Sequence, residues 1–209
     1  MYDLHVKVGV ESEITAFVLA GGKSSRMGSD KAFLRLQEET LLTRALKVAG
    51  SVAEEVRIVG DDKKFAAFGR VVEDTYRDRG PLGGIHAALS TTTTELNLIL
   101  AVDLPFVVPK FLKFLLVRAR ESGAMVTVPR AGSGLQPLYA AYRRGFAEVA
   151  ESSLREGKNK IDSLFAKVTT CVIEESELAQ AGFPVGMFRN VNTPEELEMA
   201  RSLHCGDLA

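Results

Sequence analysis

The sequence predicts an α/β fold, a doubly wound three-layer α/β/α sandwich with a mostly parallel sheet. Three observations predict it. Apolar runs alternate with amphipathic helical patterns along the whole chain. Two of those runs, ITAFVL (14–19) and LNLILAV (96–102), are nearly continuous, as strands buried on both faces of a parallel sheet must be. The polar and glycine-rich segments follow the strands, and ligands bind beyond the carboxyl ends of strands in such sheets.

In chain order, residues 40–52 (TLLTRALKVAGSV) place Leu41, Leu42, Ala45, Leu46 and Ala49 on one helical face, and EVRIV (55–59) reads as the next strand, closing a βαβ unit. Residues 70–73 are a short strand. GPLGG (80–84) is expected to be a tight loop, with a helix beginning at Ile85. TTTT (91–94) ends that helix before the strand at 96–102. Pro109 opens a helix at its first position, where the missing N–H costs nothing. Gly123 fits its C-cap, and residues 124–128 (AMVTV) form a strand. PLYAAY is strand-like, 143–153 and 159–167 are expected to be helical, and VTTCVI (168–173) is a strand. VNTPEELEMARSL closes the chain as a helix, with Thr193 as N-cap, Pro194 at N1 and Glu196 at N3 of a capping box. The connections are expected to be right-handed crossovers. A single domain is expected over 14–205, behind a short extension at 1–13.

At 209 residues the chain can bury on the order of 70% of its unfolded surface in one core. Its 26 Lys and Arg balance 27 Asp and Glu, so no global field attracts nucleic acid or an anionic membrane, and an anion must be held by a local cluster. Cys171 and Cys205 form no metal-binding or disulfide pattern, which suits reduced thiols. There is no apolar run of transmembrane length, and the leader around His5 lacks a signal-peptide core. A cytoplasmic protein with no nucleic-acid and no membrane partner is expected.

The first strand empties into LAGGKSSRMGSDK (19–31), with three glycines and the cations Lys23, Arg26 and Lys31. Glycines let backbone approach phosphate oxygens, and the cations neutralise them, so the loop has the composition of a phosphate clamp. It is not a P-loop, because five residues separate Gly22 from Gly28 and Ser29 follows; nor is it GxGxxG, because Gly21 and Gly22 are adjacent. Asp103, in AVDLP after the strand at 96–102, offers the hard oxygen ligand that Mg²⁺ prefers beside substrate phosphates. The alternative for Asp103 is a turn-forming residue, with Pro105 two positions on. GPLGG permits close backbone approach to a base or sugar, or caps a helix.

The LAGGxSxRMGxDK loop resembles the signature of the MobA-like nucleotidyltransferases. The order of motifs along the chain is also similar: signature loop, ED at 73–74, GPLxG, DLP, xPLY and VNTPEEL. The resemblance implies a Rossmann-like nucleotidyltransferase fold with a nucleotide-binding part at about 14–105 and an acceptor-binding part at about 106–205. It implies transfer of GMP from GTP to the terminal phosphate of molybdopterin, with Mg²⁺ as cofactor. The substrates would be GTP and molybdopterin, and the protein partners other cofactor-biosynthesis or molybdoenzyme-maturation proteins. Leu19, Ala20, Gly21, Gly22, Lys31, Asp74, Gly80, Gly84 and Asp103 would bind the nucleotide; Arg26, Lys31 and Asp103 would be catalytic, with Asp103 on the metal. Gln136, Pro137, Asn190 and Asn192 would face the acceptor, with Gln136 standing where the family often has His. Gly60-Asp61-Asp62 departs from the Asn often found after the second strand. The rivals are cytidylyl or other nucleotidyl transfer to molybdopterin or to a sugar or polyol phosphate, a non-catalytic nucleotide or pterin binder, and a glycosyltransferase, against which the single Asp of AVDLP speaks.

Overall fold

The computed structural model describes residues 13–21, 30–132 and 134–202. In chain order the elements are β1 (Ile14–Leu19), β2 (Arg35–Leu36), β3 (Glu39–Thr40), α1 (Leu41–Gly50), β4 (Glu55–Val59), α2 (Asp62–Phe65), β5 (Arg70–Val72), α3 (Pro81–Ser90) and β6 (Leu96–Ala101). There follow α4 (Pro109–Ser122), β7 (Val126–Ala131), β8 (Gly134–Leu135), β9 (Tyr139–Arg143), α5 (Phe146–Arg155), α6 (Asp162–Phe165), β10 (Thr170–Ile173), α7 (Glu175–Gln180) and α8 (Pro194–Ser202).

The main sheet runs β10-β7-β9-β6-β1-β4-β5. All its pairings along this path are parallel except those of β9, which lies antiparallel between β6 and β7. β1 and β6 are buried at every position, which is why they read as continuous apolar runs rather than as alternating ones. Their side chains nevertheless alternate between two cores. Ala16, Val18, Leu98 and Leu100 meet α1, α4, α7 and α8, whereas Phe17, Leu19 and Ile99 meet α3, α5 and α6. The expected three layers follow from that alternation.

The helix caps match the sequence. Thr40 accepts from the Thr43 N–H at 3.1 Å, Pro109 sits in the first turn of α4, and Gly123 ends α4 at φ 62°, a left-handed value that glycine adopts without strain. At α8 the Glu196 N–H donates to Thr193 Oγ1 (3.2 Å), and the Glu196 carboxylate accepts in return from the Thr193 N–H (3.2 Å).

Three expectations are corrected. GPLGG is not a loop ahead of a helix: α3 begins at Pro81, so Leu82, Gly83 and Gly84 form its buried first turn. The helix placed at 143–153 begins only at Phe146, because the Arg143 backbone pairs with Leu96 and donates to the Met125 carbonyl at 2.9 Å. Of 159–167, only Asp162–Phe165 is helical.

Tyr139 gives the core a test. Its side chain is fully buried, stacked on Phe111 at 5.3 Å and edge-on to Phe188 at 5.2 Å, and its hydroxyl has no hydrogen-bond partner among the described residues. Burial pushes its pKa well above the usual tyrosine value. An unmade buried hydrogen bond costs about 1–3 kcal/mol. Tyr139→Phe should therefore raise the thermal midpoint by roughly 2–4 °C per kcal/mol regained. A fall of that size in differential scanning calorimetry would show that the hydroxyl is partnered.

Candidate active site

A cleft of about 870 Å³ opens beyond the carboxyl ends of β1, β4 and β6, within the range of small-ligand sites. The backbone holds its floor together after strand pairing stops. Ala20 and Gly21 N–H both donate to the Val59 carbonyl (3.0 and 3.1 Å), Val102 N–H to Leu19 (3.1 Å) and Gly60 N–H to Val72 (3.0 Å). Of the residues expected to bind nucleotide, Leu19, Ala20, Gly21, Lys31, Asp74, Gly80, Gly84 and Asp103 all line this cleft. Gly22 and Arg26 lie outside the described residues.

Lys31 and Asp103 meet although 72 positions separate them: the ammonium Nζ is 3.4 Å from Asp103 Oδ2, and each side chain is about a fifth exposed. Asp30 starts the short turn that carries Lys31, its Oδ1 accepting from the Ala32 N–H at 3.2 Å. Lys31 Nζ also donates to Asn192 Oδ1 at 2.6 Å. The Val191 N–H donates to the Asp103 carbonyl at 2.9 Å, so the segment before α8 is fastened to the end of the DLP turn.

At the other end of the cleft, Asp74 Oδ1 accepts from the Tyr76 N–H at 2.8 Å. Burial raises the Asp74 pKa above its usual value, opposed by that hydrogen bond and by the charges of His86 and Arg77. His86, beneath Tyr76 with ring centroids 5.1 Å apart, is shifted downward, chiefly by burial. The glycines of GPLGG divide the work. Gly80, at φ 64°, turns the chain into α3. A Cβ on Gly84 would meet Leu19 Cδ2 at 3.3 Å, so its bareness brings the helix onto β1. A Cβ on Gly83 would fall 2.6 Å from Asp74 Oδ2 and 2.9 Å from the Tyr76 carbonyl. Gly83 was not singled out in the sequence, where it looks like one more flexible residue.

Other residues behave differently. Gln136 does not line the cleft; its Nε2 donates to the Ala131 carbonyl at 3.1 Å and the Pro137 carbonyl accepts from the Tyr142 hydroxyl at 2.8 Å. Asn190 is exposed and also outside the cleft wall. Gly60 carries no side chain for a packing reason, since a Cβ there would sit 2.7 Å from the Phe65 ring. Lys63 and Arg77 line the cleft and were missed, because nothing in their local sequence sets them apart from solvated charges.

The charge balance of the lining bears on the metal. Among the described residues, Asp61, Glu73, Asp74, Asp78 and Asp103 supply carboxylates and Lys31, Lys63 and Arg77 supply cations to the cleft wall. No cluster of three or more His, Cys, Asp or Glu suited to a metal occurs among the described residues. Mg²⁺ does not need one, because it is commonly held by one or two carboxylates together with substrate phosphates and water. Asp103, in the cleft wall beside the Lys31 ammonium, fits that manner of binding.

Gly83→Ala should displace the Asp74 carboxylate while leaving the rest of the cleft in place. Titration with fluorescent nucleoside triphosphates should show affinity reduced about 10-fold, or 1.4 kcal/mol. Gly50→Ala, where a Cβ would make only an ordinary 3.9 Å contact, should leave it unchanged. Equal affinities for both variants would remove Asp74 from the binding site.

A family model described as the MobA-like NTP transferase domain matches residues 16–205. A Pelotomaculum thermopropionicum protein named "probable molybdenum cofactor guanylyltransferase" is 38% identical over 192 residues, covering 90% of this chain and 92% of its own. A Desulfosudis oleivorans protein named molybdenum cofactor guanylyltransferase is 33% identical, covering 90% of this chain and 95% of its own. Among solved structures, molybdopterin-guanine dinucleotide biosynthesis protein A from Archaeoglobus fulgidus aligns with a TM-score of 0.76 at 25% identity, over 90% of this chain and 96% of that one. With Leu19, Gly21, Lys31, Asp74, Gly80, Gly84 and Asp103 around one cleft and these matches spanning most of its length, the chain belongs to the MobA-like NTP transferase family.

Proposed function

We propose that this protein transfers GMP from GTP to the terminal phosphate of molybdopterin, forming the guanine dinucleotide cofactor and releasing pyrophosphate. The observation that carries this reading is the Lys31–Asp103 pair in the wall of the cleft, a cation for phosphate beside a carboxylate suited to a metal. The names of the relatives support the choice of nucleotide and acceptor.

In the proposed reaction an oxygen of the molybdopterin phosphate attacks the α-phosphorus of GTP. The bond from that phosphorus to the bridging α–β oxygen breaks, and the electron pair leaves with pyrophosphate. No protein base is required, because a phosphate monoester is largely dianionic near neutral pH. The chain's own part is positioning and charge neutralisation. Lys31 and Arg26 offset charge growing on the α-phosphate and on the leaving group. Asp74, with its carboxylate braced by the Tyr76 N–H, accepts hydrogen bonds from the nucleoside. Asp103 would hold Mg²⁺, which supplies counter-charge to the triphosphate. On this reading residues up to about 105 receive the nucleotide, and later residues, including those around Gln136, Pro137 and Asn190, face the acceptor side. Partner proteins would deliver the pterin and collect the finished cofactor.

Pyrophosphate release, measured with molybdopterin, Mg²⁺ and each of the four nucleoside triphosphates, should appear with GTP alone. Lys31→Ala and Asp103→Ala should each lower it by about 10²–10³-fold, the cost of losing one preorganised charge-stabilising group. Release with CTP instead would move the protein to cytidylyl transfer. Undiminished release from Asp103→Ala would overturn the metal assignment.

A further inference from the structure

A third segment, remote in sequence from both, hydrogen-bonds to Lys31 and to Asp103. Asn192 Oδ1 accepts from the Lys31 ammonium at 2.6 Å, the shorter of its two contacts named here, while the next residue back, Val191, donates its N–H to the Asp103 carbonyl at 2.9 Å. Asn192 is itself held. Its backbone N–H donates to Glu196 Oε2 at 2.5 Å, and the same oxygen takes the Thr193 N–H at 3.2 Å. Glu196 is fixed by the first turn of α8, whose Leu197 and Ala200 are buried in the core. An ordinary capping box needs only the Thr193 and Glu196 exchange. The additional bond to Asn192 extends the cap outward by one residue, to the one whose side chain holds Lys31.

We propose that residues 191–196 form a clip that sets the position of the Lys31 ammonium relative to Asp103, with Asn192 and Glu196 as positioning residues for phosphoryl-group neutralisation rather than as contacts to the acceptor. An ammonium that must serve charge developing in the transition state cannot collapse onto the neighbouring carboxylate. A neutral amide oxygen holds it without adding a second negative charge beside a polyanion. Because Asp103 and Lys31 are both tied to this one segment, movement of α8 shifts them together. The clip thus connects the carboxyl-terminal part of the chain to the nucleotide's phosphates through two hydrogen bonds.

The inference rests on the transferase reading above, so its test has one arm that needs no turnover. In ¹⁵N-labelled protein, the Lys31 ammonium resonance, identified by its disappearance in Lys31→Arg, should be protected from solvent exchange in the wild type. It should be lost in Asn192→Ala and retained in Glu196→Gln, whose amide oxygen still accepts both backbone N–H groups. In the kinetic arm, Asn192→Ala and Glu196→Ala should each lower kcat about 10- to 100-fold, as loss of a charge-assisted hydrogen bond predicts. KM for GTP should move less than about 3-fold, since the lost interaction is realised mainly in the transition state. Glu196→Gln should recover most of kcat, and Lys31→Ala combined with Asn192→Ala should be no worse than Lys31→Ala alone. An unchanged Lys31 resonance in Asn192→Ala would overturn the clip, as would losses that multiply in the double variant. Should Glu196→Ala not fold, Asn192→Ala decides, because its side chain takes no part in the capping box. Should the wild type turn over no nucleotide, the transferase reading falls and the ammonium resonance alone decides the clip.

Discussion

Two unlike charges 3.4 Å apart, Lys31 and Asp103, are the interaction on which the proposed site is built. Each is partly withdrawn from water, so each needs the other, and neither could be kept there without firm anchorage. The anchorage comes from three places in the sequence. Asp30 opens the turn carrying Lys31, β6 ends just before Asp103, and the segment before α8 closes over both. A nucleoside triphosphate entering a cleft with five carboxylates among its described lining residues would also require positive charge to meet it. On the proposed reading Lys31 answers part of that need, and a divalent cation held by Asp103 would answer the rest.

The sheet makes such anchorage possible. β1 and β6 are buried at every residue, and parallel neighbours on either side of β1 bring three strand ends to one level. The hydrogen bonds that continue past the ends, from Ala20 and Gly21 to Val59 and from Val102 to Leu19, keep the floor rigid where side-chain packing gives out. α3 then packs against the sheet, because Gly84 leaves Leu19 its space and Gly83 leaves Asp74 its space. One short glycine-rich turn therefore serves helix packing and carboxylate placement together.

Much of this was legible in the chain. Strands buried on both faces write themselves as unbroken apolar runs, and the α8 cap was readable because Thr193, Pro194 and Glu196 each have a local physical reason for their positions. The signature loop and AVDLP pointed to one end of the sheet without contact information. What was not legible depends on distance. Gly83 and Gly84 were expected in a tight loop, and only their places against Asp74 and Leu19 show why glycine is kept in the first turn of a helix. Arg143 looked helical because its pairing with Leu96 lies 47 residues back across an antiparallel strand. Asn192 looked like a cap or an acceptor contact, and its bond to Lys31 spans 161 residues. Gln136 stood beside a family motif, yet its amide is spent on the β7–β8 turn.

The most direct test is a diffraction experiment on crystals grown with a non-hydrolysable GTP analogue and Mn²⁺ in place of Mg²⁺, collected where manganese scatters anomalously. The account predicts an anomalous peak in contact with the Asp103 carboxylate, phosphates beside Lys31, and the nucleoside against the Asp74 turn. A peak elsewhere with the analogue outside this cleft would contradict it.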